Sequence, residues 1–270
     1  MTTLLIYQDA VALDRDRHRQ LKLKATDNVR FAAAAHVVPL VAVEFAEASH
    51  EYPIVFARGV TETDQPGELL CYALTGTCEN ENLYIDADGR WDASYIPAFI
   101  RRYPFVFAQT GTDQLTVCID ETFPGFDESE GEPLFDEAGE AATLLKSALE
   151  LLTDFQQQAQ RTGDFLRQLD AADILVETQL RAEFPDGRHA LVQGMLVVDE
   201  ARLKQLPPAT VQEWFASGEL GLIYAHLLSL GNLKRLAQRM PCSAPEHVAV
   251  APPSTVKPLA PAKKRKGKAE

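Results

Sequence analysis

The sequence is sparing with the residues on which reactive and membrane-embedded proteins are built. Its four cysteines, Cys71, Cys78, Cys118 and Cys242, form no C-x-x-C pair. Its six histidines, His18, His36, His50, His189, His226 and His247, are scattered, with no two of them at helical spacing. The familiar zinc and thiol-redox patterns are therefore excluded, and no metal or other cofactor is expected. There is no G-x-S-x-G nucleophile elbow and no glycine-rich phosphate loop; Thr75-Gly76-Thr77 and Thr110-Gly111-Thr112 read as turns. The longest apolar runs fall well short of the ~18 residues that cross a bilayer, so no membrane span is expected. The opening MTTLLIYQDA places no basic cluster before an apolar core and brings in an acid at Asp9, unlike a secretory signal. With three cysteines in strand-like apolar runs, the sequence reads as that of a cytoplasmic protein with reduced thiols.

Positive charge is also scarce in most of the chain. The formal net charge is −13, yet residues 241–270 carry six basic and two acidic side chains, a net of +4, which leaves −17 on residues 1–240. A body this acidic repels nucleic acid, so no nucleic-acid partner is expected for it. From Pro241 the sequence PCSAPEHVAVAPPSTVKPLAPAKKRKGKAE is rich in proline and alanine and closes on a lysine cluster. It reads as a disordered tail, 241–270, dispensable to a body formed by 1–240.

Within the body, residues 36–120 are rich in strand patterns and residues 138–240 in helical ones. Strands are predicted at His36–Phe45, Tyr52–Ala57, Leu69–Thr75, Leu83–Ile85, Phe105–Ala108 and Gln114–Ile119. Pro39 implies an edge strand or a bulge. Ala141, Leu145, Ala148, Leu152 and Phe155 form one apolar stripe and predict a helix over Ala138–Gln160, broken at Gly163 and followed by a shorter one over Phe165–Ala172. Ile174–Phe184 and His189–Val198 alternate around Pro185-Asp186-Gly187 and predict a hairpin. Asp199 is placed to cap the helix after it. Ala209–Ala216, with Trp214, and Leu220–Gln238 predict a closing helical cluster, in which His226 reads as a packed, hydrogen-bonded histidine. The fold class is α+β: an N-terminal, mainly antiparallel sheet, a long helix, a β-hairpin and a C-terminal helical cluster.

Two charge clusters stand apart. Arg15, Arg17, His18, Arg19, Lys22 and Lys24 form a basic lead-in, read as a solvated face. Asp120–Glu140 holds nine acids without the alternating ligands of an EF-hand, and reads as a solvated acidic loop.

The densest chemistry lies in Asn80–Ala108, NENLYIDADGRWDASYIPAFIRRYPFVFA. Asp86-Ala87-Asp88-Gly89 reads as a tight turn, Pro97 as the first turn of a short helix over Ile96–Arg102, and Pro104 as its stop. Glu44, a carboxylate inside an apolar run, needs a cation or hydrogen-bond donors. Arg101 or Arg102 could supply bidentate pairing to Glu44 or Asp120. Three readings stay open for this block: a folding nucleus whose polar groups satisfy one another, a partner-binding face centred on Trp91 and Tyr95, and a pocket of Glu44, Arg101, Arg102, Asp120 and Glu121.

The segments PLVAVEF, YPIVFA, ENLYIDADGRW, YIPAFIRRYPF, VCIDE, GEPLFDEAGE and IYAHLLSLGNLKRL occur in an order and spacing that resemble the bacterial SapC family over about residues 20–240. The resemblance implies a link to a locus of surface-layer protein secretion and supplies no catalytic residues to carry over. A peptide-uptake permease shares the family's name, and the lack of a spanning run argues against that role here. The expected function is a non-enzymatic cytoplasmic accessory protein that binds a protein or peptide partner. The alternative is an enzyme of unknown class built on the carboxylate and arginine pocket.

Overall fold

Alternation and turn residues set the elements, and the computed structural model describes them over residues 5–60, 66–109, 115–183, 189–240 and 249–250. In chain order the strands are β1 (Ala10–Ala12), β2 (Lys22–Leu23), β3 (Val37–Pro39), β4 (Ile54–Val60), β5 (Pro66–Leu74), β6 (Phe105–Gln109), β7 (Leu115–Asp120), β8 (Phe126–Asp127), β9 (Glu132–Pro133), β10 (Leu175–Glu183), β11 (His189–Val198) and β12 (Ala249–Val250). The helices are α1 (Phe45–Ala48), α2 (Ala98–Arg101), α3 (Thr143–Ala171), α4 (Glu200–Leu203), α5 (Pro208–Ser217), α6 (Glu219–Ser229) and α7 (Leu233–Gln238). The architecture is α+β, with the expected hairpin, long helix and C-terminal helical cluster. The turn expected at Pro185-Asp186-Gly187 and the tail from Pro241 lie outside the described residues, apart from β12. Two compact units emerge. One takes its described residues from Met1–Thr26 and Arg102–Asp154, the other from Asp27–Arg101 and Phe155–Thr255.

In the second unit the strands run in the order β10-β11-β4-β5-β3, with β12 added on β11. Pairing along that order is antiparallel. The strand expected over His36–Phe45 stops at Pro39, which lies on the sheet's outer strand, where a missing N–H is tolerated. The rest of that run turns into a 3-10 segment, Ala42–Glu44, and α1. The reason is Glu44: its Oε2 accepts the Val41 N–H at 2.9 Å, which fixes a turn where the apolar pattern alone favours extension.

The joint between β4 and β11 is made by α6. Leu196 pairs with Phe56, and the same register sets Val198 opposite Ile54. The imidazole of His226 stands between those two backbones. Val198 N–H donates to Nε2 at 3.1 Å, and Nδ1 donates to the Ile54 carbonyl at 2.8 Å. The ring thus replaces a ladder hydrogen bond with a donor and an acceptor of its own. Ile54 N–H goes to the Ser229 hydroxyl at 2.8 Å, and that hydroxyl donates to the His226 carbonyl at 2.6 Å. Burial pushes the His226 pKa down to about 4, against the pull of the Ile54 carbonyl.

The other unit holds two small sheets, β1-β7-β6 and β8-β2-β9. Phe105, Ile119, Leu134, Leu145 and Leu152 form its core, so the first half of the α3 stripe is buried as its spacing predicts. The basic lead-in and the acidic segment are partners of one another. Arg15 pairs with Glu140 at 3.3 Å, Arg17 with Glu121 at 2.5 Å, and Lys24 with Asp127 at 2.7 Å and Glu130 at 3.1 Å. Arg19 and Lys22 donate to the carbonyls of Glu137 and Ser129.

Two local expectations give way. The helix break at Gly163 is absent, because α3 runs on to Ala171 with Phe165, Leu166 and Leu169 buried. One interior glycine costs about 1 kcal/mol, less than the burial of any one of those side chains contributes. The strand expected at Leu83–Ile85 shrinks to a single bridge, Ile85↔Trp91. It closes the turn at Asp86–Gly89, in which Gly89 has φ +85° and donates its N–H to the Asp86 carbonyl at 3.0 Å.

Candidate functional site

The bridge Ile85↔Trp91 delivers the Trp91 indole, half-buried, to the wall of an open groove. The groove has a volume of about 480 Å³ and is lined by Glu51, Trp91, Asp92, Ala93, Ser94, Arg235 and Arg239. Three parts of the second unit supply it: the turn after α1, the segment after the Gly89 turn, and α7 with the residue that follows it. Packing of Leu83 and Leu233 with Ala237 and Met240 holds α7 against the aromatic segment.

Aromatic contacts fix the indole. It lies nearly parallel to the Tyr84 ring, with 18° between planes and 6.4 Å between centroids, and its Nε1–H donates to the Tyr52 hydroxyl at 2.8 Å. The Tyr52 hydroxyl in turn donates to the Tyr95 carbonyl. Tyr52 and Tyr84 meet edge to face at 4.7 Å, and both are fully buried. Burial pushes the Tyr84 phenol up to about 12, opposed by the Arg239 guanidinium 4.2 Å above its ring. At neutral pH both phenols are therefore neutral, as donors in this network must be.

Charge on the rim is arranged in pairs. Arg239 donates to Asp92 Oδ2 at 2.6 Å and to the Asp92 carbonyl at 2.8 Å. Arg235 donates to Glu51 Oε2 at 2.8 Å and to the His50 carbonyl at 2.9 Å. Ser94 donates to Glu51 Oε1 at 2.7 Å. The rim thus offers two guanidinium planes and two carboxylates, pre-positioned around an aromatic wall. Such a surface suits polar backbone and mixed-charge side chains of a polypeptide.

The residues singled out in the sequence fall into two groups. Glu44, Trp91, Tyr95 and Arg101 belong to the second unit, and Arg102, Asp120 and Glu121 to the first. In place of an arginine, Glu44 has Tyr95 and backbone. It is buried and accepts the Tyr95 hydroxyl at 2.7 Å and the Ala98 N–H at 2.7 Å, besides Val41 N–H. Burial and the neighbouring Glu44 push the Tyr95 phenol above its ordinary range, while Arg101 pulls the other way. Tyr95 therefore stands between the carboxylate and the arginine that the sequence suggested as its partner. Arg101 is exposed and donates its Nε–H to the Ile96 carbonyl at 3.0 Å.

In the first unit, Arg102 is buried with its guanidinium 5.9 Å over the Tyr7 ring. Asp120 is fully buried and accepts the N–H groups of Gln8, Asp9 and Thr122, the Thr122 hydroxyl and the Tyr103 hydroxyl. Burial opposes its ionisation, but these donors outweigh burial and hold the carboxyl below its ordinary value. Glu121 accepts Arg17 at 2.5 Å and His18 Nε2–H at 2.8 Å. His18 is committed at its other nitrogen too, where Nδ1 accepts the Asp14 N–H at 2.9 Å. These groups serve backbone and one another. Among the described residues no cluster of His, Cys, Asp and Glu has the arrangement of a metal site.

Sequence reasoning found Trp91 but missed Glu51, Ser94, Arg235 and Arg239. The one available signal was the pair Arg235 and Arg239, four residues apart at the end of the last helix and so on one face.

Comparison with known proteins adds one finding. The SapC family model matches residues 13–236, whereas no curated protein and no solved structure matches the chain. Among the described residues no helix is long and apolar enough to cross a membrane. The match takes in residues of both units and every groove residue except Arg239, and on that match the chain belongs to the SapC family.

Proposed function

We propose that this protein is a non-enzymatic accessory factor that binds a protein or peptide partner in the groove walled by Trp91. The observation that carries this reading is the fixed indole. Trp91 keeps part of its surface open to the groove while Tyr52 and Tyr84 hold its orientation. A rigid, half-buried tryptophan beside arginine is the commonest kind of anchor at protein interfaces, and its fixed geometry lowers the entropy cost of binding. The family's name supports a role in surface-layer protein secretion. The three free described cysteines, Cys71, Cys78 and Cys118, support a reducing cytoplasmic setting.

The alternative, catalysis through carboxylate and arginine, has less to work with. Glu44 and Asp120 are both buried and engaged by donors of their own fold.

The test is photo-crosslinking in the native bacterium from a reactive side chain at Ala93, on the groove wall. A single protein partner is expected, and Trp91→Ala should abolish its capture while leaving the circular dichroism unchanged. Capture that survives Trp91→Ala, or turnover of a metabolite lost in Glu44→Gln with the fold intact, would reject the reading.

A further inference from the structure

The charged side chains that line the Trp91 groove are not equally engaged. Both terminal nitrogens of Arg239 donate to Asp92, and its guanidinium lies 4.2 Å over the Tyr84 ring. Glu51 accepts at both oxygens, from the Ser94 hydroxyl at Oε1 and from Arg235 at Oε2. Arg235 differs. A single nitrogen, Nη1, makes both of its hydrogen bonds, to Glu51 Oε2 at 2.8 Å and to the His50 carbonyl at 2.9 Å. Among the described residues nothing accepts from its Nε or Nη2, and the side chain is half exposed. Glu51 and His50 thus hold the guanidinium plane at one end and leave its other edge open. That edge carries two parallel N–H donors, the fork that matches the two oxygens of a carboxylate.

Asp92 is also half engaged. Its Oδ2 accepts Arg239 at 2.6 Å, whereas Oδ1 has no donor among the described residues and the side chain is exposed. The indole of Trp91 has no N–H to offer, since Nε1 is committed to the Tyr52 hydroxyl, so its open surface is apolar. The groove therefore presents one cationic fork, one carboxylate oxygen and one fixed aromatic surface. A matching ligand carries a carboxylate, an N–H and an apolar side chain. The last residue of a polypeptide carries all three on one α-carbon. An acid-rich segment also carries carboxylates, but the strongly acidic body repels a run of them, while a single carboxylate meets the single open fork.

We propose that the partner enters the groove by its C-terminus, an inference that rests on the reading of the groove as a polypeptide site. The terminal carboxylate pairs side-on with Nε and Nη2 of Arg235. The last backbone N–H donates to Asp92 Oδ1, and the last side chain, an apolar one, lies on Trp91. Capture of a terminal carboxylate is a recurring mode of peptide recognition. It also fixes direction and register, because a chain has one such end.

The probe is a pool of pentapeptides randomised at the last three positions, prepared as free acids and as C-terminal amides, and passed over the immobilised full chain. The acids should be retained, enriched in apolar last residues, and the amides should bind about tenfold more weakly, as the loss of a charge-assisted pair predicts. Arg235→Lys keeps a charge for Glu51 but has no fork. It should lower retention of the acids to that of the amides, with an unchanged circular dichroism spectrum. Free phenylalanine, which has the carboxylate without the preceding chain, should not displace the acids. Equal retention of acids and amides, or undiminished retention of the acids by Arg235→Lys, would overturn the proposal; if that retention is lost in Trp91→Ala, the groove reading survives. Full displacement by an equal concentration of free phenylalanine would overturn it by assigning the fork to amino acids. Retention of neither pool would overturn it too, and crosslinking from Ala93 then judges the groove by itself.

Discussion

Replacing His226 is the sharpest test of how the second unit is joined. In His226→Ala the Val198 N–H and the Ile54 carbonyl both lose their partner inside the protein. Each buried, unsatisfied group costs about 1–3 kcal/mol, and the lost ring leaves a gap beside Phe56, whose ring lies 4.7 Å away. A total of about 3–5 kcal/mol is expected, a large part of a typical domain's stability. The pH dependence is the more specific signature. The imidazole is neutral in the fold, with its pKa moved from 6.5 to about 4. Below pH 6.5 the unfolded chain therefore binds a proton that the folded chain does not. Stability that is complete above pH 6.5 should fall as the pH drops and be lost by about pH 4. The slope approaches 1.4 kcal/mol per pH unit, or about 3 kcal/mol over the window. His226→Gln cannot titrate. Urea denaturation of both proteins between pH 7 and pH 4 should give curves that converge as the pH falls. If the two lose stability in parallel, or if His226→Ala costs less than about 1 kcal/mol, the imidazole does not join the strands and the reasoning fails.

Three further outcomes follow from the same geometry. Asp120→Asn should destabilise by about 2–4 kcal/mol in chemical denaturation, because an amide NH2 meets the N–H groups that the carboxylate accepts. Since the Asp120 carboxyl is held below its ordinary value, its contribution is present above the ordinary carboxylate pKa and disappears as the pH falls below it, and Asp120→Asn should lack that acid limb. Gly89→Ala should cost about 1–2 kcal/mol in thermal melts, since φ is +85° and an added Cβ would lie 2.7 Å from the Arg30 side chain; a change in the near-ultraviolet signal of Trp91 should accompany it. Glu44→Gln should cost about 1–3 kcal/mol, because one of the Val41, Tyr95 and Ala98 donors then faces an NH2 group; an unchanged denaturation midpoint would show that the carboxylate is dispensable to the fold.

Elements whose cause is local were legible in the sequence. The β10–β11 hairpin follows from alternation on either side of a turn. Asp199 caps α4 by accepting the Ala201 N–H at 2.8 Å, as its position before the helix implies. The Pro39 strand lies at the edge of its sheet for the reason proline must. Apart from Gly163 and Leu83–Ile85, the failures arise where a polar side chain sits inside an apolar run. Pattern reading assigns such a residue to the run, or to a pocket, since it has no means of seeing which distant backbone needs it. Glu44 turned a predicted strand into a helix entry. Asp120 ends a strand that was found, but in a role that was not; His226 is the packed, hydrogen-bonded histidine expected, and only which two strands it joins was not legible.

Those three residues share one physical task, which bears on where function can be sought. Each is buried, and each answers backbone groups that regular structure leaves unpaired: Val41 and Ala98 N–H for Glu44, Gln8, Asp9 and Thr122 N–H for Asp120, and Val198 N–H with the Ile54 carbonyl for His226. Orphaned backbone groups inside a protein must be matched, and a carboxylate or imidazole matches several at once. A buried polar residue whose donors and acceptors are used up in this way has no capacity left for a ligand. The groove differs on that count. Trp91 is tethered at Nε1 yet keeps open ring surface, and the guanidinium groups of Arg235 and Arg239 are fixed by carboxylates on an accessible rim. Unspent contact surface on a fixed frame is what recognition requires, and in the second unit it is found beside Trp91 rather than at the buried Glu44.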